Sequence, residues 1–101
     1  MSPDDIIHHM ACDFSQCMSY ALPDWEYNDE PADAYMDTIV SGFGDAPTET
    51  SVIRDYKSRA AVAAIKARLN KGFETDIFTE EIIDQLVRRA IINNFGPDAL
   101  S

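Results

Sequence analysis

Apolar residues recur every three or four positions along most of the chain, which is the spacing of one face of an α-helix. The first such segment begins at Ser2, with Pro3 at the first helical position, and ends before Pro23. Its apolar side chains cover about 140° of the helix surface, so we predict a first helix that faces a core. These side chains are Ile6, Ile7, Met10, Ala11, Phe14, Cys17, Met18 and Ala21.

A second helix is predicted to begin at Pro31 and to end at Gly42 and Gly44. The stretch GDAPTET that follows predicts a loop, with Thr50 or Ser51 as the cap of a third helix. The apolar face of the second helix consists of Ala32, Tyr35, Met36, Ile39, Val40 and Phe43.

The third predicted helix extends to about Asn70 and is apolar on two sides. Val62, Ile65 and Leu69 form one face. Two apolar faces indicate a central helix with neighbours on both sides. The other face carries mostly small residues, namely Val52, Ile53, Tyr56, Ala60, Ala63, Ala64 and Ala67.

The fourth predicted helix is capped by Thr79, has Glu80 and Glu81 in its first turn, and ends before Gly96. Its apolar stripe is Ile82, Ile83, Leu86, Val87, Ala90 and Ile91. Because no segment shows a sustained alternation of apolar and polar residues, we predict an all-α fold. The expected architecture is a compact bundle of about four helices, with helix three central, in a single acidic domain spanning residues 1–101.

The charge of the chain is unevenly distributed. The 101 residues include 18 acidic and 8 basic side chains, which gives a net charge of −10. Residues 1–53 hold 11 acids and no Lys or Arg, whereas residues 54–101 hold 7 acids and 8 bases, which gives −11 and +1. Such a field repels nucleic acid and anionic membranes and speeds encounter with basic surfaces. We therefore expect no direct binding to nucleic acid or membrane.

The expected cellular compartment is inferred from targeting signals, membrane spans and cysteines. The first 22 residues have no basic region of the kind that begins a signal peptide, and no run approaches the roughly 18 apolar residues of a membrane span. Cys12 and Cys17 lie five residues apart in one predicted helix, in directions about 140° apart, so they cannot readily bond each other. Free thiols fit a reducing compartment, and we expect a cytoplasmic protein.

A metal site is considered on the polar side of the first helix. Asp5, His8, His9, Cys12 and Asp13 lie there, and His and Cys four residues apart can share a metal ion. A structural zinc site needs four ligands, however, and no second Cys and His pair exists elsewhere in the chain. We interpret these residues as a plain polar face and expect no metal or cofactor.

Catalysis is not predicted. A nucleophile needs a base beside it and a third group that orients the base, and Ser15 and Ser19 have only neighbours on their own helix. The glycines of GFG at 42–44 lack the longer phosphate-binding motif. The basic residues can form ion pairs within their own helices, since Asp55 lies four residues before Arg59 and Asp84 four residues before Arg88. We expect the protein not to be an enzyme.

The stretch LPDWEYNDEPADAYMD, residues 22–37, contains six carboxylates, the only Trp and no Lys or Arg. Helical spacing places Asp33 and Asp37 opposite the apolar stripe, where they can meet a row of Lys and Arg. Glu30 joins them if the helix extends back to include it. Aromatic residues such as Trp25 and Tyr27 dominate binding energy at interfaces, although they can equally fold back as a lid on the bundle. The candidate partner-binding residues are Asp24, Trp25, Glu26, Tyr27, Asp29, Glu30, Asp33 and Asp37.

These features predict a small acidic protein that binds and blocks a basic surface, in effect as a mimic of nucleic acid. In size and charge the chain resembles the inhibitors made by phages and mobile elements, anti-CRISPR proteins among them, and the immunity proteins of nuclease toxins. That resemblance is one of class and implies no site residue. The alternatives are an oligomeric structural or adaptor protein that associates through the small-residue face and the second apolar face of helix three, and a module that binds a small ligand between its helices. A homodimer is compatible with the inhibitor.

Overall fold

The computed structural model of the protein describes residues 1–22 and 32–101. Five α-helices lie in these two ranges, and no strand does: α1 Pro3–Ala21, α2 Asp33–Phe43, α3 Glu49–Lys57, α4 Ala60–Gly72 and α5 Glu80–Phe95. The predicted all-α class is confirmed. The Cα radius of gyration is 12.4 Å, close to the roughly 13 Å of a compact 100-residue domain. No helix in the described ranges combines the length and the apolar character that a membrane crossing requires.

The first and last helices begin as their sequences predict. Ser2 accepts a hydrogen bond from the backbone N–H of Asp5 (3.2 Å), and the Asp5 carboxylate accepts one from the N–H of Ser2 (3.4 Å), which forms a capping box. At α5, the Thr79 hydroxyl accepts from the N–H of Ile82 at 3.3 Å. Both predicted apolar stripes face the core, where Phe14 and Ile83 are fully buried.

The four longer helices form a ring around the core. α1 packs against α2 and α5, and α4 also packs against α2 and α5, while α3 contacts α2, α4 and α5. Asp13 meets Asn94, and Cys17 shares a groove with Leu86, so α1 and α5 run antiparallel. Within the core, the rings of Phe14 on α1 and Tyr35 on α2 lie 5.9 Å apart between centroids.

The predicted third helix is two helices, which corrects both the helix count and the central position given to helix three. The chain breaks at Ser58 and Arg59, where Arg59 adopts a left-handed conformation with φ of 69°. α3 also begins earlier than predicted, because Thr48 rather than Thr50 or Ser51 is the cap. α4 lies in the ring between α2 and α5, and none of the five described helices occupies the centre.

Because of the break, only part of the predicted small-residue face is buried. Val52 and Tyr56 are buried from α3, and α4 buries the face of Val62, Ile65 and Leu69. The alanines of the predicted small-residue face point outward instead, since Ala60, Ala63 and Ala67 are exposed and Ala64 is half-buried.

Gly42 lies inside α2 and does not end it. A Cβ atom at this position would lie 2.9 Å from side-chain carbons of Ile65 and 3.3 Å from the carbonyl oxygen of Ala61. The absence of a side chain therefore lets α2 approach α4 closely. Gly44, with φ of 80°, is the residue that caps the end of α2.

The connection between α4 and α5 is held by one amide side chain. The Asn70 Nδ2 donates to the carbonyl of Phe78 at 3.1 Å, and the Asn70 Oδ1 accepts from the N–H of Phe78 at 3.2 Å. Both backbone groups of Phe78 are thereby satisfied while its ring is fully buried. Phe78 was not among the predicted core residues, because a single apolar residue in a turn carries no periodic signal.

Candidate interaction surface

The predicted partner-binding residues divide between the described and undescribed parts of the chain. Asp33 and Asp37 are on α2, and both are exposed, as their spacing predicts. We refer to these two residues as the α2 acidic pair. The other six candidates lie outside the described residues: Asp24, Trp25, Glu26, Tyr27, Asp29 and Glu30.

The α2 acidic pair occupies the first and fifth positions of its helix. Tyr35 and Ile39 are buried on the opposite side, so the core fixes the outward direction of the two carboxylates. Asp33 is in the first turn, where the helix dipole favours a negative charge, and its neighbour Ala32 offers no side-chain cap. Carboxylates four residues apart repel each other by a few tenths of a kcal/mol. The fold itself gains little from this pair.

One cation approaches the pair from another helix. The Arg68 Nη2 on α4 lies 3.9 Å from the Asp37 Oδ2, with the two side chains 53% and 88% exposed. An exposed pair at that distance contributes little to stability. The local sequence around Asp37 does not predict this contact with Arg68. The Asp37 carboxylate remains accessible to a partner.

Among the described residues, most ion pairs form within the second half of the chain. Arg54 pairs with Asp55 at 3.2 Å, and Arg59 pairs with two carboxylates of α5, so these bases are matched by acids of the same half of the chain. Within the described ranges, every acid of residues 1–53 except Asp37 lacks a Lys or Arg at ion-pair distance. These acids are Asp4, Asp5, Asp13, Asp33, Asp45 and Glu49.

The pairs predicted within helix three and the last helix do not form among the described residues. Asp55 pairs with Arg54 and not with Arg59, because the break at residue 59 removes the helical spacing between them. Asp84 pairs with Arg59 and not with Arg88. The basic side chains are used structurally, as expected, but through contacts between helices.

Arg59 is the centre of a cluster that we call the Arg59 junction, made of Tyr56, Arg59, Glu80 and Asp84. The Asp84 Oδ1 accepts hydrogen bonds from the Tyr56 hydroxyl at 2.8 Å and from the Arg59 Nη1 at 2.7 Å. The Glu80 Oε1 accepts from the Arg59 Nη2 at 3.1 Å. The guanidinium also lies 5.6 Å from the centroid of the Tyr56 ring. The cluster ties the break between α3 and α4 to the start of α5.

The pKa values at the junction follow from these contacts. Partial burial would raise the pKa of Asp84, but hydrogen bonds from Arg59 and Tyr56 outweigh it and leave that pKa below its ordinary value. Burial and the neighbouring Asp84 carboxylate raise the pKa of Tyr56. Asp84 is therefore held ionised as an acceptor for two donors, which is a structural role.

The outer side of α1 carries the residues considered for metal binding. The His8 Nε2 and the Cys12 Sγ lie 3.6 Å apart, while Asp13 accepts a hydrogen bond from the Asn94 Nδ2 at 2.8 Å. Partial burial raises the pKa of Asp13 despite that hydrogen bond. Across residues 1–22 and 32–101, no group of three or more His, Cys, Asp or Glu side chains converges on a point that a metal could occupy.

A groove of about 540 Å³ separates the end of α1 from the middle of α5. Arg88 and Arg89 lie on one side, and Tyr20, which is 87% exposed, lies on the other. Among the described residues that line it, none is His, Asp or Glu. Among these described residues, the half-buried thiol of Cys17 thus has no His, Asp or Glu beside it in the groove.

Comparisons of the chain with models of known protein families, with curated proteins and with solved structures found no match.

Proposed function

We propose that the protein is a small acidic binding protein that occupies a basic surface of a partner protein and keeps nucleic acid away from it. The observation that carries the proposal is the α2 acidic pair, two exposed carboxylates one helical turn apart at the end of a stretch with six acids and no base. Together with the six candidates outside the described residues, they form the partner-binding region in this proposal.

The physical basis is complementarity of charge and spacing. Carboxylates four residues apart on a helix lie about 5 to 6 Å from each other, and a surface that holds nucleic-acid phosphates presents Lys and Arg in rows. Such a partner would meet a chain whose net charge of −10 speeds the encounter. The partner class is a nuclease or another nucleic-acid-binding protein, and the biological role is that of a phage or mobile-element inhibitor, such as an anti-CRISPR protein, or of an immunity protein.

A second candidate function is supported by a different observation. Ala60, Ala63 and Ala67 form an exposed small-residue stripe on α4, and small residues allow two helices to approach closely. An oligomeric adaptor would use this stripe. Light scattering distinguishes the two functions, because an adaptor of this kind forms a stable oligomer that Ala63→Glu disrupts, whereas the acidic inhibitor needs no such oligomer.

The test of the main proposal compares two variants with the same change in net charge. Asp33→Lys with Asp37→Lys reverses the α2 acidic pair, and Asp76→Lys with Asp98→Lys reverses two exposed acids elsewhere. Each tagged protein is used to retain partners from a lysate of the source organism, and mass spectrometry identifies a protein that the parent and the control variant retain. Loss of that protein from the α2 variant supports the proposal. Equal retention by all three proteins contradicts it.

The competition with nucleic acid is tested on the retained partner. Its own nucleic-acid ligand should displace the parent protein, and association should slow steeply with salt as the Debye length falls from about 10 Å at 0.1 M to about 3 Å at 1 M. Simultaneous binding of nucleic acid and this protein would exclude the blocking function.

A further inference from the structure

His8 and Cys12 on α1 present two metal-ligand atoms side by side at the surface. They are one helical turn apart, His8 is exposed and Cys12 is partly exposed. The His8 Nε2 faces the Cys12 Sγ at 3.6 Å. Neither side chain contributes to the core, which instead receives Ile7 and Ala11 from the same helix.

The distance between these two atoms is the one that a tetrahedral zinc ion requires. Zinc binds thiolate sulfur at about 2.3 Å and imidazole nitrogen at about 2.0 to 2.1 Å, and at a tetrahedral angle these two ligands lie roughly 3.6 Å apart. The separation of the two atoms therefore already suits zinc binding. Zinc binding replaces the thiol proton of Cys12, since the ligand is the thiolate.

The described residues of one molecule supply only half of such a site. In the described ranges no third His, Cys, Asp or Glu joins the pair. Asp5, one turn earlier, accepts a hydrogen bond from the N–H of Ser2 in the capping box. Asp13, the next acid along the helix, accepts one from Asn94.

We propose that two copies of the chain share one zinc ion, each contributing His8 and Cys12, across a two-fold axis beside the outer faces of their α1 helices. A structural zinc site commonly has two Cys and two His ligands in a tetrahedron, and a two-fold dimer brings identical surface patches together. The second copy thus supplies the pair of ligands that is missing among the described residues of one copy.

Salt distinguishes this dimer from the partner binding proposed above. Each copy carries a net charge of −10, and two thiolates neutralise the zinc charge, so the two chains repel each other. Added salt screens that repulsion. The zinc dimer should therefore hold or tighten as salt rises, whereas binding to a basic partner should weaken.

The experiment is a zinc titration of the purified chain, followed by analytical ultracentrifugation in a phosphine reductant that prevents disulfide dimers. We expect a shift from the 11.3 kDa monomer to twice that mass, complete at one zinc ion per two chains and reversed by a chelator. Cobalt in place of zinc should give thiolate-to-metal charge-transfer absorption and the visible bands of tetrahedral coordination.

Matched variants test whether the ligands are the proposed ones. His8→Ala and Cys12→Ser should each abolish the zinc-dependent dimer, with Cys12→Ala as a second thiol-free variant if Cys12→Ser folds poorly. His9→Ala and Cys17→Ser, which alter the neighbouring imidazole and the other thiol, should retain it. Circular dichroism verifies that each variant is folded.

Three results would overturn the proposal. The first is a chain that stays monomeric throughout the titration. The second is binding of one zinc ion per monomer without dimerisation, which would show that no second copy completes the site. The third is a zinc-dependent dimer that persists in His8→Ala and Cys12→Ser, because another surface would then hold the metal.

Discussion

Two helices of this protein begin with the same arrangement of acids and use it differently. α5 has Glu80 and Asp84 at its first and fifth positions, and α2 has Asp33 and Asp37 at the same two positions. On α5, both carboxylates bind Arg59 from the junction of α3 and α4. On α2, both are exposed, and the Arg68 Nη2 lies 3.9 Å from the Asp37 Oδ2.

The difference shows that a cation from a distant part of the chain decides whether such a pair is structural. Arg59 holds a left-handed conformation, which in general costs a residue with a Cβ roughly 1 to 2 kcal/mol. Its hydrogen bonds to Glu80 and Asp84 offset that cost, so the α5 acids stabilise the fold. The α2 acids receive no comparable compensation, which leaves them available to a partner.

The largest expected effect on stability comes from a core residue of α5. Leu86 lies on α5 two residues after Asp84 and is 2% exposed. Leu86→Ala should lower the free energy of unfolding by roughly 2 to 5 kcal/mol, because it removes buried methyl groups and leaves a cavity. Urea denaturation measures the change. A loss below about half a kcal/mol would mean that this face of α5 does not pack in the core.

The next effect compares the two helices directly. Asp84→Ala should cost about 1 to 3 kcal/mol, because the Tyr56 hydroxyl, on a residue only 7% exposed, loses its acceptor. Asp37→Ala, at the corresponding position of α2, should change stability by less than about 0.5 kcal/mol. Denaturation of both variants gives the two values.

A double-mutant cycle checks the cause of the Asp84 effect. If the loss comes from the unpaired hydroxyl, Tyr56→Phe should make Asp84→Ala much less costly than it is in the parent. Equal costs for Asp84→Ala and Asp37→Ala would end the distinction between a structural pair and a free pair.

The pH dependence of stability offers a third measurement at the junction. The folded-state pKa of Asp84 is below its ordinary value because of Arg59 and Tyr56. Its contribution is therefore present above the unfolded-state pKa of about 3.9 and is lost as pH falls through the lower folded-state value. Below pH 4 the parent should lose stability more steeply than Asp84→Asn. Parallel curves for the two proteins would show that Asp84 is not the group responsible.

The backbone at the junction gives a smaller effect that separates strain from charge. Arg59→Ala and Arg59→Gly both remove the contacts to Glu80 and Asp84, but only glycine adopts a φ of 69° without a Cβ penalty. The glycine variant should therefore melt a few degrees above the alanine variant in a thermal scan. Identical melting temperatures would indicate that the chain no longer breaks at this residue once the ion pairs are gone.

The sequence was sufficient for those parts of the fold that depend on nearby residues. The caps at Ser2 and Thr79 and the stripes of α1 and α5 follow from local spacing, and the structure confirms them. The break at Arg59 was missed because the left-handed residue is not glycine. Glu80 and Asp84, the residues that bind Arg59, lie more than 20 residues after it in the sequence.

At the candidate site, too, features set by nearby residues were predictable and features set by distant residues were not. The outward direction of Asp33 and Asp37 was predictable, since Tyr35 and Ile39 define the buried side of α2. The approach of Arg68 depends on the packing of α4 against α2, which is made possible by the close contact at Gly42. A local pattern indicates which way a side chain points, but it does not indicate which distant residue it meets.

The smallest expected effect is the change in stability when the α2 acidic pair is neutralised. Replacing both Asp33 and Asp37 with Asn removes a repulsion of a few tenths of a kcal/mol. It also removes the favourable interaction of Asp33 with the helix dipole, which is of similar size at an exposed site. Because these terms oppose each other and the contact of Asp37 with Arg68 is weak, the net change should stay below about 0.5 kcal/mol in urea denaturation. A loss above about 1 kcal/mol would make this pair structural, like Glu80 and Asp84. The proposed acidic interface would then lose the observation on which it depends.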